Sequence, residues 1–275
     1  GEIFDRNGKK LAENGYALSI GIVPKNIGDD KEGAVEKIAK ELGTGADNIE
    51  QKLSAKWVKD YMFVPITDIS ESETEKVSNL SKIPGVQIKK VEERTYPLGQ
   101  SAAHLTGYVG RITAEELKAH NGDGYAEDDL IGKAGLESVF EKRLRGQNGG
   151  EIYITDSDGN KKETIAKREA KDGEDIKVTI DSSIQNSIYG QLQKDSGAAA
   201  AIDPKTGQVL ALVSSPSYDP NMMVLGMTDQ QWSTLSNDPA KPLTNKFSRV
   251  YAPGSTFKPV TASIALKKGA IKPED

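Results

Sequence analysis

The chain has 275 residues, of which 36% are hydrophobic and 28% charged, enough apolar material for one large domain or two ordinary ones. Its net charge of −5 argues against a nucleic-acid-binding protein, which usually has a basic balance. The absence of cysteine excludes disulfides, thiolate catalysis and cysteine-ligated metals, and only two histidines, His104 and His120, are available to a metal.

The first part of the chain alternates helical and strand patterns. The predicted elements, in chain order, are a helix over residues 34–42, a strand over 61–66, a helix over 70–80, a strand over 86–91, a helix over 136–144 and a hairpin over 151–165. The helix over 136–144 is predicted to bury Leu136, Val139, Phe140 and Leu144 on one face and to end at Gly146.

The second part has longer apolar runs. The predicted elements are a strand over residues 176–180, a helix after Asp181, a buried hairpin over 197–213, a short helix around 229–235 and a last helix over 255–268. The helix after Asp181 is predicted to bury Ile184, Ile188 and Leu192. The last helix is predicted to bury a stripe of five residues: Phe257, Val260, Thr261, Ile264 and Ala265.

The charge distribution predicts a domain boundary near residues 171–175. Residues 1–175 carry 26 Lys and Arg against 33 Asp and Glu, a net charge of −7, whereas residues 176–275 carry 10 against 8, a net charge of +2. The junction, Lys-Asp-Gly-Glu-Asp, is typical of a turn. We therefore expect two domains, residues 1–175 and residues 176–275.

The strongest candidate for chemistry is the pair Ser255 and Lys258 in the sequence Ser-Thr-Phe-Lys. Three positions on a helix correspond to about 300°, so the hydroxyl and the amine lie on one face. Pro253 and Gly254 place Ser255 at the helix start, where free N–H groups and the positive dipole end favour a developing oxyanion. The same positive end, together with burial, favours a neutral Lys258 amine that accepts the serine proton. On spacing alone, a helix-capping serine and a surface lysine remain the alternative.

Four other patterns are interpreted as structural. Lys-Thr-Gly at residues 205–207 lies in a predicted turn, and residues 156–160 resemble half of a calcium loop but lack its later Gly and Glu. Residues 121–129 are interpreted as a solvated acidic loop, and His104 as a structural residue rather than a base. The sequence therefore predicts neither a metal site nor a cofactor.

The sequence resembles penicillin-binding proteins over nearly its whole length. Residues 251–259, Tyr-Ala-Pro-Gly-Ser-Thr-Phe-Lys-Pro, are similar to their active-site motif, and residues 196–216 are similar to the start of their transpeptidase domain. Further segments resemble the run-in to the nucleophile and signatures of the class B pedestal, or dimerisation domain: residues 242–247, 1–8, 94–97, 102–110, 135–137 and 144–146. Residues 187–189 and 242–247 look closest to the low-affinity, methicillin-resistance type.

The resemblance implies an elongated α+β pedestal followed by the N-terminal part of a serine transpeptidase domain, an antiparallel sheet with helices. Family members are peptidoglycan D,D-transpeptidases: the serine that matches Ser255 attacks the D-Ala-D-Ala carbonyl of a stem peptide, and β-lactam antibiotics acylate the same serine. By the same resemblance, Lys258 is the general base and the backbone N–H of Ser255 is an oxyanion donor.

The resemblance also implies a location on the extracytoplasmic face of a bacterial membrane, with an N-terminal anchor outside this chain. The expected partners are cell-wall synthesis proteins or a second copy bound through the pedestal. We interpret the chain as a fragment, which alone is expected to be inactive, because the family's Ser-x-Asn and Lys-Thr-Gly or Lys-Ser-Gly motifs do not follow Ser255. Two alternatives stay open: a β-lactam sensor, and a structural, partner-binding pedestal without catalysis.

Overall fold

The computed structural model describes residues 1–192 and 195–274 and combines helices with strands, which confirms the predicted α+β class. The strands, in chain order, are β1 (Ile3–Phe4), β2 (Lys10–Ile22), β3 (Val64–Ser70), β4 (Val86–Thr95), β5 (Val109–Arg111), β6 (Leu130–Gly132), β7 (Gly150–Thr155), β8 (Lys161–Arg168), β9 (Ile176–Lys177), β10 (Gly197–Ile202) and β11 (Val209–Ser215). The helices are α1 (Lys31–Leu42), α2 (Ala46–Leu53), α3 (Thr74–Leu80), α4 (Ala103–Thr106), α5 (Ala114–Ala119), α6 (Gly135–Val139), α7 (Glu141–Leu144), α8 (Ser182–Leu192), α9 (Pro220–Leu225), α10 (Asp229–Asn237) and α11 (Lys258–Lys267). Short 3₁₀ turns occupy Pro24–Asn26, Gly99–Ser101 and Gly254–Phe257.

Strand β2 organises the first part because it pairs antiparallel with β3, β4 and β1. Strand β9 then pairs in parallel with β1, so Ile176 lies beside Ile3. The strand predicted over residues 176–180 spans only Ile176–Lys177, because β1 offers only two residues for pairing. Strand β9 is the first element of the predicted second domain, yet it pairs into the sheet of the first domain.

Helices α1, α2 and α3 contribute to the larger hydrophobic core together with β2 and β3. Val35 and Ile38 of α1 are fully buried in the same cluster as Ile20 of β2. Each such side chain contributes about 1.5–3 kcal/mol by leaving water. Helix α1 begins after Asp30, whose carboxylate accepts the N–H of residue 33, and ends at Gly43 with φ of 67°, a left-handed conformation that favours glycine.

A buried ion pair joins three of the segments that the sequence analysis singled out. Arg94 Nε donates to Glu137 Oε1 at 2.7 Å, and the two side chains are only 7% and 2% exposed. Tyr96 Oη donates to the same carboxylate oxygen at 3.2 Å and accepts the N–H of Val109 at 2.9 Å. Burial and the negative charge of Glu137 raise the pKa of Tyr96. Since a buried charge is costly without its partner, the pair fixes β4, β5 and α6 relative to one another.

The second part is held by a buried glutamine on α8. Asp181 accepts N–H groups of residues 183 and 184 and so caps the helix as predicted. Gln185, rather than Ile184, faces the interior: Ile184 is 36% exposed, whereas Gln185 is fully buried. The Gln185 amide donates to the carbonyls of Ser101 and Leu212 and accepts the N–H of Leu212. Ile188 and Leu192 of the predicted stripe are half-buried, so the helix presents both apolar contacts and the Gln185 hydrogen bonds to its neighbours.

Several predicted boundaries shift. Strand β3 begins at Val64 rather than at residue 61 and continues to Ser70, because its pairing with β2 runs from Val64 to Ser70. Helix α3 begins at Thr74 rather than at residue 70, because Ser70 and Ser72 form a hydrogen-bonded turn. Strand β4 extends to Thr95.

The predicted helix over residues 136–144 is two helices, α6 and α7, because the backbone at Phe140 leaves the helical conformation. The predicted burial of Val139 is wrong: it is 75% exposed, because α6 turns Glu137 to the interior instead. Gly146 does not cap the helix. A Cβ there would lie 2.7 Å from the carbonyl oxygen of Lys171, so a close backbone approach requires the glycine.

Two hairpins complete the fold. Strands β7 and β8 form the predicted first hairpin, with every residue exposed. Strands β10 and β11 form the second, but only β11 is buried, at Ala211, Val213 and the residues that follow. Strand β10 is paired on one side only, and its residues alternate between exposed and half-buried, so the prediction of a buried hairpin holds for one strand. Helix α10 confirms the predicted short helix, whereas α9 was not predicted.

Candidate active site

Ser255 lies in the 3₁₀ turn Gly254–Phe257 that leads into α11. The N–H of Lys258 donates to the carbonyl of Ser255, three residues back. An α-helical bond to that carbonyl would come from residue 259, which is a proline without an N–H, so the first turn winds more tightly. Gly254 has φ of 55°, a left-handed conformation that favours glycine.

The tight turn places Ser255 and Lys258 on the same side. In a 3₁₀ turn, which has three residues per turn, side chains three apart are eclipsed. The predicted shared face is therefore present in the backbone, although the regular α-helix begins at Lys258 and not at Ser255. No hydrogen bond joins the two side chains in the part of the chain that the structure describes.

The predicted burial of this site is wrong for this chain. Ser255 and Lys258 are both exposed, and so is most of the predicted stripe: Phe257 is 48% exposed, Val260 45% and Ile264 54%. Within the described residues, no element other than the preceding 3₁₀ turn packs extensively against α11. A cavity of about 1050 Å³ lies between β3, the α1–α2 turn and residues 223–230, and Ser255 is not among the residues that line it.

The segment that leads to Ser255 is anchored to the rest of the molecule. Lys246 is buried, and its Nζ donates to the carbonyls of Pro216 and Lys241 at 3.3 Å and 3.1 Å. Its own carbonyl accepts the hydroxyl of Tyr251 at 3.0 Å. Sequence reasoning did not single out Lys246; the available signal was a lysine inside the segment 242–247 that resembles the run-in to a nucleophile.

His104 occupies a structural position, as predicted. Its Nε2 lies 2.8 Å from the carbonyl oxygen of Pro242, and its ring packs edge-on against Tyr218 with centroids 5.0 Å apart. Burial lowers the pKa of His104, the Lys246 charge acts in the same direction, and the Pro242 carbonyl opposes both. A neutral imidazole that donates from Nε2 fits this environment.

The two sequence patterns interpreted as turns are turns. The carboxylate of Asp203 accepts the N–H groups of residues 205 and 206, and Gly207 has φ of 74°, so Lys-Thr-Gly at residues 205–207 connects β10 to β11. Asp156 accepts the N–H groups of residues 158 and 160 between β7 and β8. In the loop over residues 121–129, Asp123 pairs with His120 at 3.0 Å.

Within residues 1–192 and 195–274, no group of three or more His, Asp or Glu side chains is arranged to hold a metal ion. No helix in the same ranges combines the length and the hydropathy that a bilayer span requires.

Two protein families match the chain in succession. The family described as "Penicillin-binding Protein dimerisation domain" matches residues 1–178. The family described as "Penicillin binding protein transpeptidase domain" matches residues 197–275 and therefore contains both Ser255 and Lys258.

Individual relatives agree with these matches. Penicillin-binding protein 3 of Bacillus subtilis is 46% identical over 100% of this chain and 41% of its own length. Peptidoglycan D,D-transpeptidase MrdA of Acinetobacter baumannii is 36% identical over 98% of this chain and 41% of its own length. The chain thus spans about two fifths of the length of these curated relatives.

Solved structures show the same fold. The complex between penicillin-binding protein PBP2 and MreC from Helicobacter pylori matches 99% of this chain and 51% of the chain in that structure, with a TM-score of 0.71 and 23% identity. A second structure, penicillin-binding protein PBP2 from Helicobacter pylori, matches 97% of this chain and 52% of the chain in that structure, with a TM-score of 0.63 and 22% identity.

Proposed function

Because the chain belongs to the class B penicillin-binding proteins, we propose that it carries the nucleophile of a peptidoglycan D,D-transpeptidase. In this proposal Ser255 is the nucleophile and Lys258 the general base. The observation that carries the proposal is the 3₁₀ turn, whose backbone brings positions 255 and 258 to one side at the N-terminal end of α11.

The reaction needs only acyl transfer. The Ser255 oxygen bonds to the carbonyl carbon of the penultimate D-Ala while Lys258 takes the hydroxyl proton. The C–N bond to the terminal D-Ala then breaks, and the leaving amine receives that proton. An amine of a second stem peptide attacks the resulting ester, forms the cross-link and returns the proton, through Lys258, to the serine oxygen. A β-lactam would enter by the same first step and remain attached as an ester.

The helix start supplies the electrostatics of the proposed step. The positive end of the α11 dipole and the backbone N–H of Ser255 favour the negative oxygen that develops during attack. Acyl transfer is also favoured by a site that excludes water. The exposed apolar side chains beside the pair, Phe257, Val260 and Ile264, offer surface that such a pocket would cover in the full-length protein.

Release of D-Ala from a stem pentapeptide that ends in D-Ala-D-Ala tests the proposal. We expect the full-length protein to release D-Ala, and Ser255→Ala and Lys258→Ala to reduce the rate by about 10³-fold or more, since members of a nucleophile–base pair act as a unit. Ser263→Ala and Lys267→Ala on the same helix are the matched controls and should retain the wild-type rate. Undiminished release by Ser255→Ala would refute the assignment.

We also propose the finer subtype, the low-affinity, methicillin-resistance type. It is supported by the sequences Ser-Ile-Tyr at residues 187–189 and Pro-Leu-Thr-Asn-Lys-Phe at residues 242–247. We expect slow acylation of the full-length protein by benzylpenicillin, measured by stopped-flow or intact mass. Rapid acylation at micromolar drug would place the protein outside this subtype.

We propose further that residues 1–175 form a pedestal and residues 176–275 the start of a catalytic domain on the extracytoplasmic face of the membrane. The pedestal would contact a cell-wall synthesis protein, since the related PBP2 of Helicobacter pylori forms a complex with MreC. Self-association is the competing arrangement. Sedimentation of the protein alone and with a candidate partner separates them: a concentration-dependent dimer supports self-association, and a monomer that binds the partner supports the first arrangement.

A further inference from the structure

Lys246 is a buried cation that the proposed chemistry does not use. Only 7% of the residue is exposed, and its backbone N–H donates to the hydroxyl of Ser214 at 3.0 Å. Its Nζ reaches the carbonyls of Pro216 and Lys241, which lie on two different segments. One side chain therefore ties the segment after β11 to the segment that runs toward Ser255.

Burying the ammonium group of Lys246 is energetically costly, which argues that the lysine has a role at this position. Burial lowers the pKa of Lys246, and the more distant charge of Asp238 only partly offsets this effect. No carboxylate among the described residues forms a salt bridge with Lys246, so its charge is balanced by carbonyl dipoles. A lysine at the surface would keep its ammonium group in water and avoid the cost of burial. The buried position of Lys246 instead provides charged hydrogen bonds to two carbonyls.

Two further contacts hold the same segment. His104 of α4 holds the carbonyl of Pro242, next to the Lys241 carbonyl that Lys246 holds. At the other end, the Tyr251 hydroxyl donates to the Lys246 carbonyl, although the Tyr251 side chain itself is mostly exposed. The segment 241–251 is thus fixed at its start, its middle and its end.

We propose that Lys246 is a positioning residue for Ser255: it sets the path of residues 241–251 and thereby the placement of the 3₁₀ turn that begins three residues beyond Tyr251. This inference rests on the proposed function, since it concerns the same nucleophile. It assigns a role to a lysine that touches neither the serine nor the proposed base. A displacement of about 1 Å at a reacting group costs up to about 10²-fold in rate, so loss of this anchor should be visible in acylation.

The test compares three variants of the full-length protein: Lys246→Met, Lys246→Arg and Lys241→Met. The first removes the donors at nearly constant volume, the second keeps them, and the third changes an exposed lysine whose carbonyl stays in place. The readouts are the second-order rate constant for acylation by a fluorescent penicillin and the folded fraction from circular dichroism. We expect Lys246→Met to be at least about tenfold slower while folded, Lys246→Arg to recover to within about threefold, and Lys241→Met to match the wild type.

The outcomes distinguish a failure of the proposed function from a failure of the positioning role of Lys246. If the wild-type protein is not acylated at all, the proposed function fails. If the wild type is acylated and folded Lys246→Met is acylated equally fast, or if Lys246→Arg is as slow as Lys246→Met, the positioning role is overturned. If Lys246→Met does not fold, Tyr251→Phe decides, because it removes only one hydroxyl contact: a fall of about threefold or more supports the role, and an unchanged rate overturns it.

Discussion

Helices α1 and α11 both carry closely spaced apolar side chains, but these side chains lie in opposite environments. In α1, Val35 and Ile38 are fully buried against the sheet, whereas in α11 Val260 and Ile264 are 45% and 54% exposed. An apolar stripe indicates which face of a helix is suited to burial, but a partner surface must cover that face before it contributes stability. The pedestal supplies this surface to α1 within the described chain, whereas only the preceding 3₁₀ turn packs extensively against α11 there.

The largest expected effect concerns the buried ion pair of the pedestal. Glu137→Ala leaves Arg94 buried without its carboxylate and should lower the free energy of unfolding by about 3–5 kcal/mol. Urea denaturation measures the loss. Glu92→Ala, on an exposed position of β4, is the control and should change stability by no more than about 0.5 kcal/mol. Equal effects of the two substitutions would mean that the pair is not structural.

The comparison of the two helices is tested by one substitution made in each. Ile38→Ala creates a cavity in the core and should cost about 2–5 kcal/mol, whereas Ile264→Ala removes an exposed side chain and should change the stability of residues 1–275 by no more than about 0.5 kcal/mol. Thermal and urea unfolding of both variants provide the measurement. A large loss for Ile264→Ala in this chain would show that α11 is covered in solution.

A smaller effect is expected at the junction of the two parts. Gln185→Leu removes hydrogen bonds to Ser101 and Leu212 and leaves their buried groups unpaired, which should cost about 1–3 kcal/mol. Gln191→Leu, at an exposed position of the same helix, is the matched control. If both variants unfold at the same urea concentration as the wild type, Gln185 does not hold α8 to its neighbours.

The smallest effect is a pH dependence from His104. Its pKa is lowered in the folded state, so the unfolded chain binds the proton more readily. The stability from neutral His104 is therefore fully present above about pH 6.5 and is lost as the pH falls from there through the folded pKa. His104→Gln should show a smaller fall in melting temperature between pH 7.5 and 5.5 than the wild type, and His120→Gln serves as the control. An undiminished fall in His104→Gln would remove His104 as the source.

Local patterns in the sequence predict much of this fold. The spacing of Val35 and Ile38, the Asp181 cap and the turn at residues 203–207 depend on neighbours in the chain, and each is present as predicted. Features that depend on distant partners were missed. Ile184 and Val139 have the right spacing for burial, but Gln185 takes the interior position on α8 and Glu137 takes it on α6.

In the candidate site, too, the features set by neighbours in the chain are predicted and those set by distant residues are not. The three-residue spacing and the Pro253-Gly254 pair are local, and they suffice to predict that Ser255 and Lys258 share a side at a helix start. Burial of the pair is not local, and the prediction of burial is wrong for this chain. The sequence does not single out Lys246, because its hydrogen bonds go to the carbonyls of residues 216 and 241, which only the folded chain brings within reach.

The most direct test of the account locates the acylated residue. Full-length protein is treated with benzylpenicillin, digested with trypsin and mapped by mass spectrometry. Because trypsin does not cleave before Pro259, the relevant peptide covers residues 250–267. The account predicts one penicilloyl group on this peptide, at Ser255, and none in Ser255→Ala. An adduct on another residue, or an adduct that persists in Ser255→Ala, would contradict it.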